Sequence, residues 1–270
     1  MKGLRSVLFV LVMVWVLPAV AGSACSERAA PPEHLARAAE AAVRTARALD
    51  EVDAPVALLS RVGTDLSEYG LRYSHVAFVV RDHPDGRWTV VHLLNHCNTD
   101  RSALFNEGLL NFFADDLVNF DARITWLRPA AADAVLDALS GTLPTRLHEA
   151  HYNVIARFDS DDTQNSTSWV LDLLMAAELD RSAGRRRAQS LARAQGFEPD
   201  TIRIPYTRRL AGGLFAANAS FTDHPVSARL SGRYEVVTVR SILRHLARQD
   251  QVLDEREWRS GVELGRPGPA

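Results

Sequence analysis

Apolar residues recur at three- and four-residue steps between Glu33 and Leu49, while arginine and glutamate fill most of the other positions. This spacing puts the apolar side chains on one side of a helix, so the stretch predicts an amphipathic helix. Further helices are predicted over residues 130–139, 166–178, 185–194 and 242–248, and a short one between Ala103 and Phe113.

Short apolar runs between these helices predict strands. Two of them, Ser74–Val80 and Arg87–Leu94, are joined by residues 82–86, where Pro84 and Gly86 favour a turn between antiparallel strands. The other predicted strands are Pro55–Leu59, Arg123–Leu127, Tyr152–Ala156 and Tyr234–Val239. Because helices and strands are mixed and the clearest strand pair is antiparallel, we predict one α+β domain over residues 25–250. We expect residues 251–270 to form a polar tail that frays.

The composition excludes several classes of protein. The 270 residues are 47% hydrophobic and 24% charged, which is typical of a globular domain and not of a disordered chain or a disulfide-dense scaffold. The chain has 31 basic and 33 acidic residues, a net charge of −2. No strong overall positive field is available to hold phosphates, so we predict no nucleic-acid partner.

The N-terminus has the pattern of a secretory signal peptide. Lys2 and Arg5 precede an unbroken apolar run, Val7–Leu17, and small residues follow it. The run is shorter than the roughly 20 apolar residues of a spanning helix. We predict a signal peptide over residues 1–21, with cleavage after Ala24 as the alternative, and hence a periplasmic or secreted protein with no transmembrane segment after cleavage. Lipid anchoring at the cysteine of position 25 is a minor alternative.

Two cysteines, Cys25 and Cys97, would remain in the exported protein. An even number of cysteines in an oxidising compartment favours a disulfide bond between them. On the chain-entropy model such a bridge would stabilise the fold by about 4 kcal/mol. The alternative is a free, catalytic Cys97, which nothing in the surrounding sequence favours.

Two histidines lie on the predicted hairpin. If Arg81 pairs with Gly86 across a four-residue loop, His75 lies directly opposite His92 on the same face, with Cβ atoms about 5 Å apart. One imidazole can then act as a base while the other orients it. Alternatively, the two histidines are unrelated and each is satisfied by a backbone carbonyl.

A polar run precedes the predicted helix that begins at Ser166. Asn165 is a favourable N-cap, which places Ser166 in the first turn, where free N–H groups stabilise a developing anion. A nucleophile at Ser166 with Asn165 as cap or oxyanion donor is chemically sensible, although capping alone also explains these residues. The sequence has no dinucleotide-binding glycine motif, phosphate-binding Walker loop, H-E-x-x-H or C-x-x-C motif, and we predict neither a cofactor nor a metal.

These residues resemble the motifs of the circularly permuted papain-like fold of the NlpC superfamily, most closely its lecithin retinol acyltransferase branch. In that branch one strand begins with His, the next carries Val-Val-His-Leu, and a later helix begins Asn-Cys-Glu-His-Phe-Val. The matching segments are Ser74-His75-Val76-Ala77, Val90-Val91-His92-Leu93 and Asn165-Ser166-Thr167-Ser168-Trp169-Val170. The resemblance implies a papain-like domain in which Ser166 is the nucleophile, His75 the general base and His92 the orienting residue.

A longer part of the chain, from about residue 28 to 245, resembles a bacterial family known as the domain of unknown function numbered 2145. The segments that carry this resemblance are residues 61–67, 70–75, 88–95, 164–166, 223–225 and 237–239. Activity is not established for that family, so the resemblance implies no substrate.

Serine stands where the superfamily has cysteine, and this leaves two functional hypotheses open. A thiol gives up its proton readily to histidine, whereas a hydroxyl needs general-base help and a good oxyanion hole. Ser166 would therefore serve a hydrolase or acyltransferase that acts on an ester or amide of the cell envelope. Alternatively, the protein is a non-catalytic periplasmic binding protein that keeps a degenerate papain-like cleft.

Overall fold

The computed structural model describes residues 30–209 and 217–264. The signal-peptide prediction, the cysteine at position 25 and the last six residues lie outside this part of the chain. The helices that position the site are α1 (Pro32–Asp50), α2 (Leu109–Ala114), α3 (Pro129–Leu139), α4 (Leu143–Arg146), α5 (Ser166–Leu179), α6 (Arg185–Ala194), α7 (Val226–Ser231) and α8 (Val239–Arg248). The strands are β1 (Val56–Val62), β2 (His75–His83), β3 (Gly86–Asn95), β4 (Ser102–Glu107), β5 (Asn119–Leu127), β6 (Asp200–Arg203), β7 (Arg233–Val236), β8 (Val252–Arg259) and β9 (Val262–Leu264).

The centre of the fold is a seven-stranded antiparallel sheet with the strand order β4-β3-β2-β1-β5-β8-β9. Strands β6 and β7 form a separate two-stranded antiparallel ribbon. The protein is therefore a single α+β domain with an antiparallel sheet and several helices, as the sequence predicts.

Side chains of each strand alternate between the two faces of the large sheet. Helices cover both faces, because the central strands carry apolar side chains on both. On one face, Ala77 and Val79 pack with Phe112 and Phe113 of α2 and with α1. On the other face, Phe78 packs against Trp169 of α5, with ring centroids 5.8 Å apart. We call these the α2 face and the α5 face.

The prediction of a polar tail over residues 251–270 is wrong for most of these residues. Residues 252–264 form β8 and β9, and β8 pairs with β5 inside the main sheet. Trp258 is buried, and Glu257 accepts a hydrogen bond from the phenol of Tyr73 at 2.8 Å. The charged residues of β8 obscure the strand pattern in the sequence. In the fold they pair with other side chains, as Glu255 does with Arg123 of β5.

The predicted strand Tyr152–Ala156 is also wrong. This segment makes only isolated bridges, such as Tyr152 with Gln164, and it belongs to the loops before α5. Within the described residues, no helix is both long and apolar enough to cross a membrane.

Candidate functional site

A cavity of about 750 Å³ lies at one end of the main sheet. Its walls come from residues just past β1, from the first residue of β2, from the last residues of β3 and from the first turn of α5. The cavity thus extends around the sheet end and reaches groups on both the α2 face and the α5 face. This size falls in the range of small-molecule sites, about 300–1,000 Å³.

The hairpin register differs from the predicted one. Val79 pairs with Val90 and His83 pairs with Gly86, so the turn is the two residues Pro84 and Asp85 instead of four. If this register continues to the start of β2, Leu94 lies opposite His75, and His92 is two residues away from that position. The prediction of two directly opposed histidines is therefore wrong, but a shift of two residues keeps both on the same face, as the side-chain alternation requires.

His75 and His92 nevertheless contact each other. Nε2 of His75 lies 2.9 Å from Nδ1 of His92, and both residues are buried. On the far side, Nε2 of His92 lies 3.0 Å from Oε1 of Glu107 on β4. This second pair is within hydrogen-bond distance, although the N–H of His92 is not aligned with the carboxylate oxygen.

The partners assign the tautomers of the two histidines. A carboxylate only accepts, so the nitrogen of His92 that faces Glu107 carries the proton and Nδ1 of a neutral His92 is an acceptor. Nε2 of His75 then donates to His92, which leaves Nδ1 of His75 as the nitrogen with a lone pair. Burial, the charge of Arg61 and the neighbouring imidazole hold the pKa of His75 well below its usual value, and burial lowers the pKa of His92. Both imidazoles are therefore neutral near pH 7.

Arg61 is a buried cation beside this pair. Its guanidinium donates to Oδ2 of Asp115 at 2.6 Å and to the backbone carbonyl of Phe112, and it lies 4.3 Å from the centre of the Phe112 ring. Arg61 pairs with His75 across β1 and β2. Arg61, its partner Asp115 and His75 all line the cavity, so an ion pair lies in the wall that holds His75.

Ser166 enters the same cavity from α5. Asn165 is the N-cap, its side-chain oxygen accepts from the backbone N–H of Ser168 at 2.8 Å, and Ser168 completes a capping box. The first turn of a helix has N–H groups with no carbonyl partner within the helix, and Ser166 occupies its first position. The phenol of Tyr152 contacts the Ser166 hydroxyl, and burial raises the pKa of this tyrosine to about 12.

Three of the sequence-predicted residues, His75, Asn165 and Ser166, line this one cavity. His92 is fully buried behind His75 and supports it. Sequence reasoning missed Glu107, Arg61 and Tyr152. Glu107 depends on β4 pairing beside β3, and no local pattern reports that pairing, while Arg61 had a signal in its own strand as a charged residue within an apolar run.

The rest of the cavity wall is mostly apolar. The β6–β7 ribbon and the loops beside it supply Leu66, Leu71, Ile155, Ile202, Ile204, Phe221 and Val236. A ligand in the cavity would place its polar group near His75 and Ser166 and lay an apolar part against this wall.

The remaining candidate residues have other positions. Cys97 is exposed after β3, and because its predicted partner at position 25 lies outside the described residues, the disulfide stays a prediction. Asp223 accepts from Thr163 at 2.8 Å, and His224 contacts the carbonyl of Ile155 at 2.7 Å, so both tie loops together. In residues 30–209 and 217–264, no three His, Cys, Asp or Glu residues are arranged to hold a metal ion.

Comparison with known proteins gives one match. Residues 48–246 match the model of a family described as an uncharacterized protein conserved in bacteria (DUF2145). No curated protein and no solved structure matches the chain. Because the match covers well over half of the sequence, the chain belongs to the DUF2145 family.

Proposed function

We propose that the protein is a hydrolase or acyltransferase that acts on an ester or amide, with Ser166 as nucleophile, His75 as general base and His92 as the residue that orients it. One observation carries the proposal: the Glu107–His92–His75 series leads to the cavity that the first turn of α5 also lines. Such a series fixes which nitrogen of the base has the lone pair.

The proposed reaction uses groups of this chain alone. Nδ1 of His75 takes the proton of the Ser166 hydroxyl as the oxygen attacks the substrate carbonyl carbon. The backbone N–H groups of Ser166 and Thr167, which the cap leaves free, stabilise the tetrahedral oxyanion, and the bond to the leaving group breaks as His75 returns the proton to it. Water or another nucleophile then attacks the acyl-serine ester, which makes the protein a hydrolase or an acyltransferase.

A circularly permuted papain-like fold belongs to the same proposal. Its support is the order of the three motifs along the chain and the position of two of them, at the start of β2 and of α5, on one cavity. We also propose that residues 1–21 direct export, so that the substrate belongs to the cell envelope. The mass of the mature protein purified from the periplasm would test the cleavage site.

A serine-directed fluorophosphonate probe tests the catalytic proposal. We expect the probe to label the protein and the label to disappear in Ser166→Ala. Ser190→Ala is the control, because Ser190 is an exposed serine of α6 that does not line the cavity. Labelling that persists in Ser166→Ala would contradict the proposal.

The second candidate is a binding protein without catalysis, and the serine in the position of the superfamily's cysteine favours it. In that case the probe labels neither the wild type nor Ser166→Ala, although a ligand still binds in the cavity. Quenching of a fluorophore attached at an introduced cysteine on the cavity rim would then report binding without turnover.

A further inference from the structure

The segment from Arg203 to Arg233 is strongly basic. It contains five arginines and a single acidic residue, Asp223, although the whole chain has slightly more acidic than basic residues. Asp223 is buried and holds loop groups such as Thr163, so it does not neutralise the surface. Arg208 pairs with Glu68, and the other four arginines concentrate positive charge on the described part of this segment.

Two of these arginines face each other directly. Arg203 of β6 pairs with Arg233 of β7, and both side chains are exposed. Like charges opposite each other in an antiparallel pair destabilise it. Within the part of the chain that the structure describes, neither arginine has a carboxylate within ion-pair distance, and the same is true of Arg209 and Arg229. An anion from outside the molecule would relieve this repulsion.

Exposed apolar side chains lie among the same arginines. Leu230 is 80% exposed, Tyr206 68% and Val226 60%, and the first two are the most exposed large apolar side chains of the described residues. Arg209 joins them, because its guanidinium lies 5.4 Å from the centre of the Tyr206 ring and donates to the carbonyl of Arg229, next to Leu230. We call Arg203, Tyr206, Arg209, Val226, Arg229, Leu230 and Arg233 the arginine–leucine surface.

This surface adjoins the cavity. Ile204, Thr207 and Arg208 belong to the same segment and line the cavity wall. A backbone hydrogen bond joins the cavity-lining residues to the residue after α7, since the N–H of Ile204 donates to the carbonyl of Gly232 at 2.9 Å. Whatever binds the arginine–leucine surface therefore lies next to this wall of the cavity.

We propose that the arginine–leucine surface docks on a lipid membrane that carries anionic headgroups. The exposed guanidinium groups of Arg203, Arg229 and Arg233 contact headgroup phosphates. Leu230, Tyr206 and Val226 enter the interface between headgroups and acyl chains. A nucleic acid or an acidic peptide would neutralise the arginines but leave these apolar side chains in water, which is why a lipid surface fits better. Docking in this orientation brings the cavity wall formed by Ile204, Thr207 and Arg208 close to the membrane.

Sedimentation with lipid vesicles tests the proposal. We expect the purified protein to bind vesicles of phosphatidylcholine mixed with phosphatidylglycerol, less at high salt, and to bind pure phosphatidylcholine much more weakly. One arginine near an anionic surface contributes about a fivefold gain in affinity, so Arg203→Gln with Arg233→Gln should weaken binding about 25-fold. Leu230→Ser should weaken binding at both low and high salt. The thermal midpoint of the double variant should equal or exceed that of the wild type, because the repulsion is removed.

The control variants carry matched changes elsewhere. Arg37→Gln with Arg47→Gln removes two exposed arginines of α1, and Leu35→Ser removes an exposed leucine of the same helix. Both should bind mixed vesicles like the wild type, as should Ser166→Ala, which separates this proposal from the catalytic one. The proposal fails if mixed vesicles are not bound, if the α1 variants lose as much affinity as the β6–β7 variants, or if the protein binds duplex DNA but no vesicle.

Discussion

At the scale of single residues, the proposed site combines a weak general base, His75, with a nucleophile, the Ser166 hydroxyl, that holds its proton tightly. Burial and Arg61 hold the pKa of His75 well below its usual value, so its lone pair is available even in mildly acidic solution. The same shift makes the imidazole a poorer acceptor of the tightly held proton of a hydroxyl. A thiol would need less help from such a base, because its proton is lost more easily.

This imbalance predicts that Ser166→Cys creates a reactive thiol. The helix N-terminus favours an anion there, and His75 on the same cavity can accept the more easily lost proton of a thiol, so the thiol pKa should fall clearly below the unperturbed value of about 8.5. We expect faster alkylation by iodoacetamide at about pH 6.5 than for an ordinary surface cysteine, and a slower reaction when His75→Ala is added.

The matched control for this thiol is Ala130→Cys. Ala130 is exposed in the first turn of α3, a helix without histidine, so it shares the helix N-terminus but lacks the imidazole. Equal alkylation rates at the two positions would show that Ser166 begins the helix as a plain capping-region residue, and the catalytic proposal would lose its main support.

Glu107 makes a second prediction at this scale. Its carboxylate selects the tautomer of His92, and through it the nitrogen of His75 that keeps a lone pair. Glu107→Ala should slow labelling of Ser166, or alkylation of Ser166→Cys, by at least about tenfold. Glu107→Gln should restore part of the rate because its amide oxygen still accepts, while Asn106→Ala, the preceding exposed residue of β4, should have no effect. If Glu107→Ala reacts at the wild-type rate, the carboxylate does not position the histidines.

At the scale of elements, the sequence predicts what has a local pattern. The helix over 185–194 is found with the same bounds, and the helix that begins at Ser166 begins there, because apolar spacing and capping residues act within a few positions. Strands β4 and β8 have no such signal, since charged and polar residues occupy positions that only become half-buried when a neighbouring strand pairs with them. The missed Glu107 is a direct result, because its contact with His92 exists only through that pairing.

Helix α5 contains a buried acid whose titration is a prediction about stability. Asp172 contacts Nε2 of Gln164 at 3.1 Å and Nε of Arg185 at 3.4 Å, and burial raises its pKa to about 7. The unfolded chain releases this proton near pH 4, so between about pH 4 and 7 the folded state binds a proton that the unfolded state has lost. Stability from this group is therefore present at low pH and is lost as the pH rises through that window.

Asp172→Asn removes the titration, because an amide stays neutral. The free energy of unfolding of the variant, relative to the wild type, should rise between about pH 5 and pH 8, as measured by urea denaturation. Glu178→Gln, which changes an exposed carboxylate of the same helix, is the control and should show no such change. A difference between Asp172→Asn and the wild type that is constant with pH would contradict the raised pKa.

At the scale of the whole molecule, the sheet separates the groups of the site. His75 and His92 lie on the α2 face beside Phe112, while α5 packs on the opposite face through Trp169. The two sets can approach each other only around the sheet end, where the cavity lies. The position of that end depends on every strand of the sheet, so catalysis as we propose it requires the complete sheet, including the strands that follow residue 250.

The C-terminal strands should therefore be necessary for folding. Trp258 of β8 is buried beside Ala122, and Arg123 donates to Oε2 of Glu255 at 2.7 Å, so β8 covers the edge of β5. Trp258→Ala should reduce the free energy of unfolding by about 3–5 kcal/mol, measured by urea denaturation. Val262→Ala, at an exposed position of β9, should change the free energy of unfolding little.

A chain that ends at residue 251 should be insoluble, because the edge of β5 and the apolar surface under Trp258 would be exposed, whereas one that ends at residue 264 should fold. If the chain that ends at 251 folds with wild-type stability, the last strands are a dispensable tail after all.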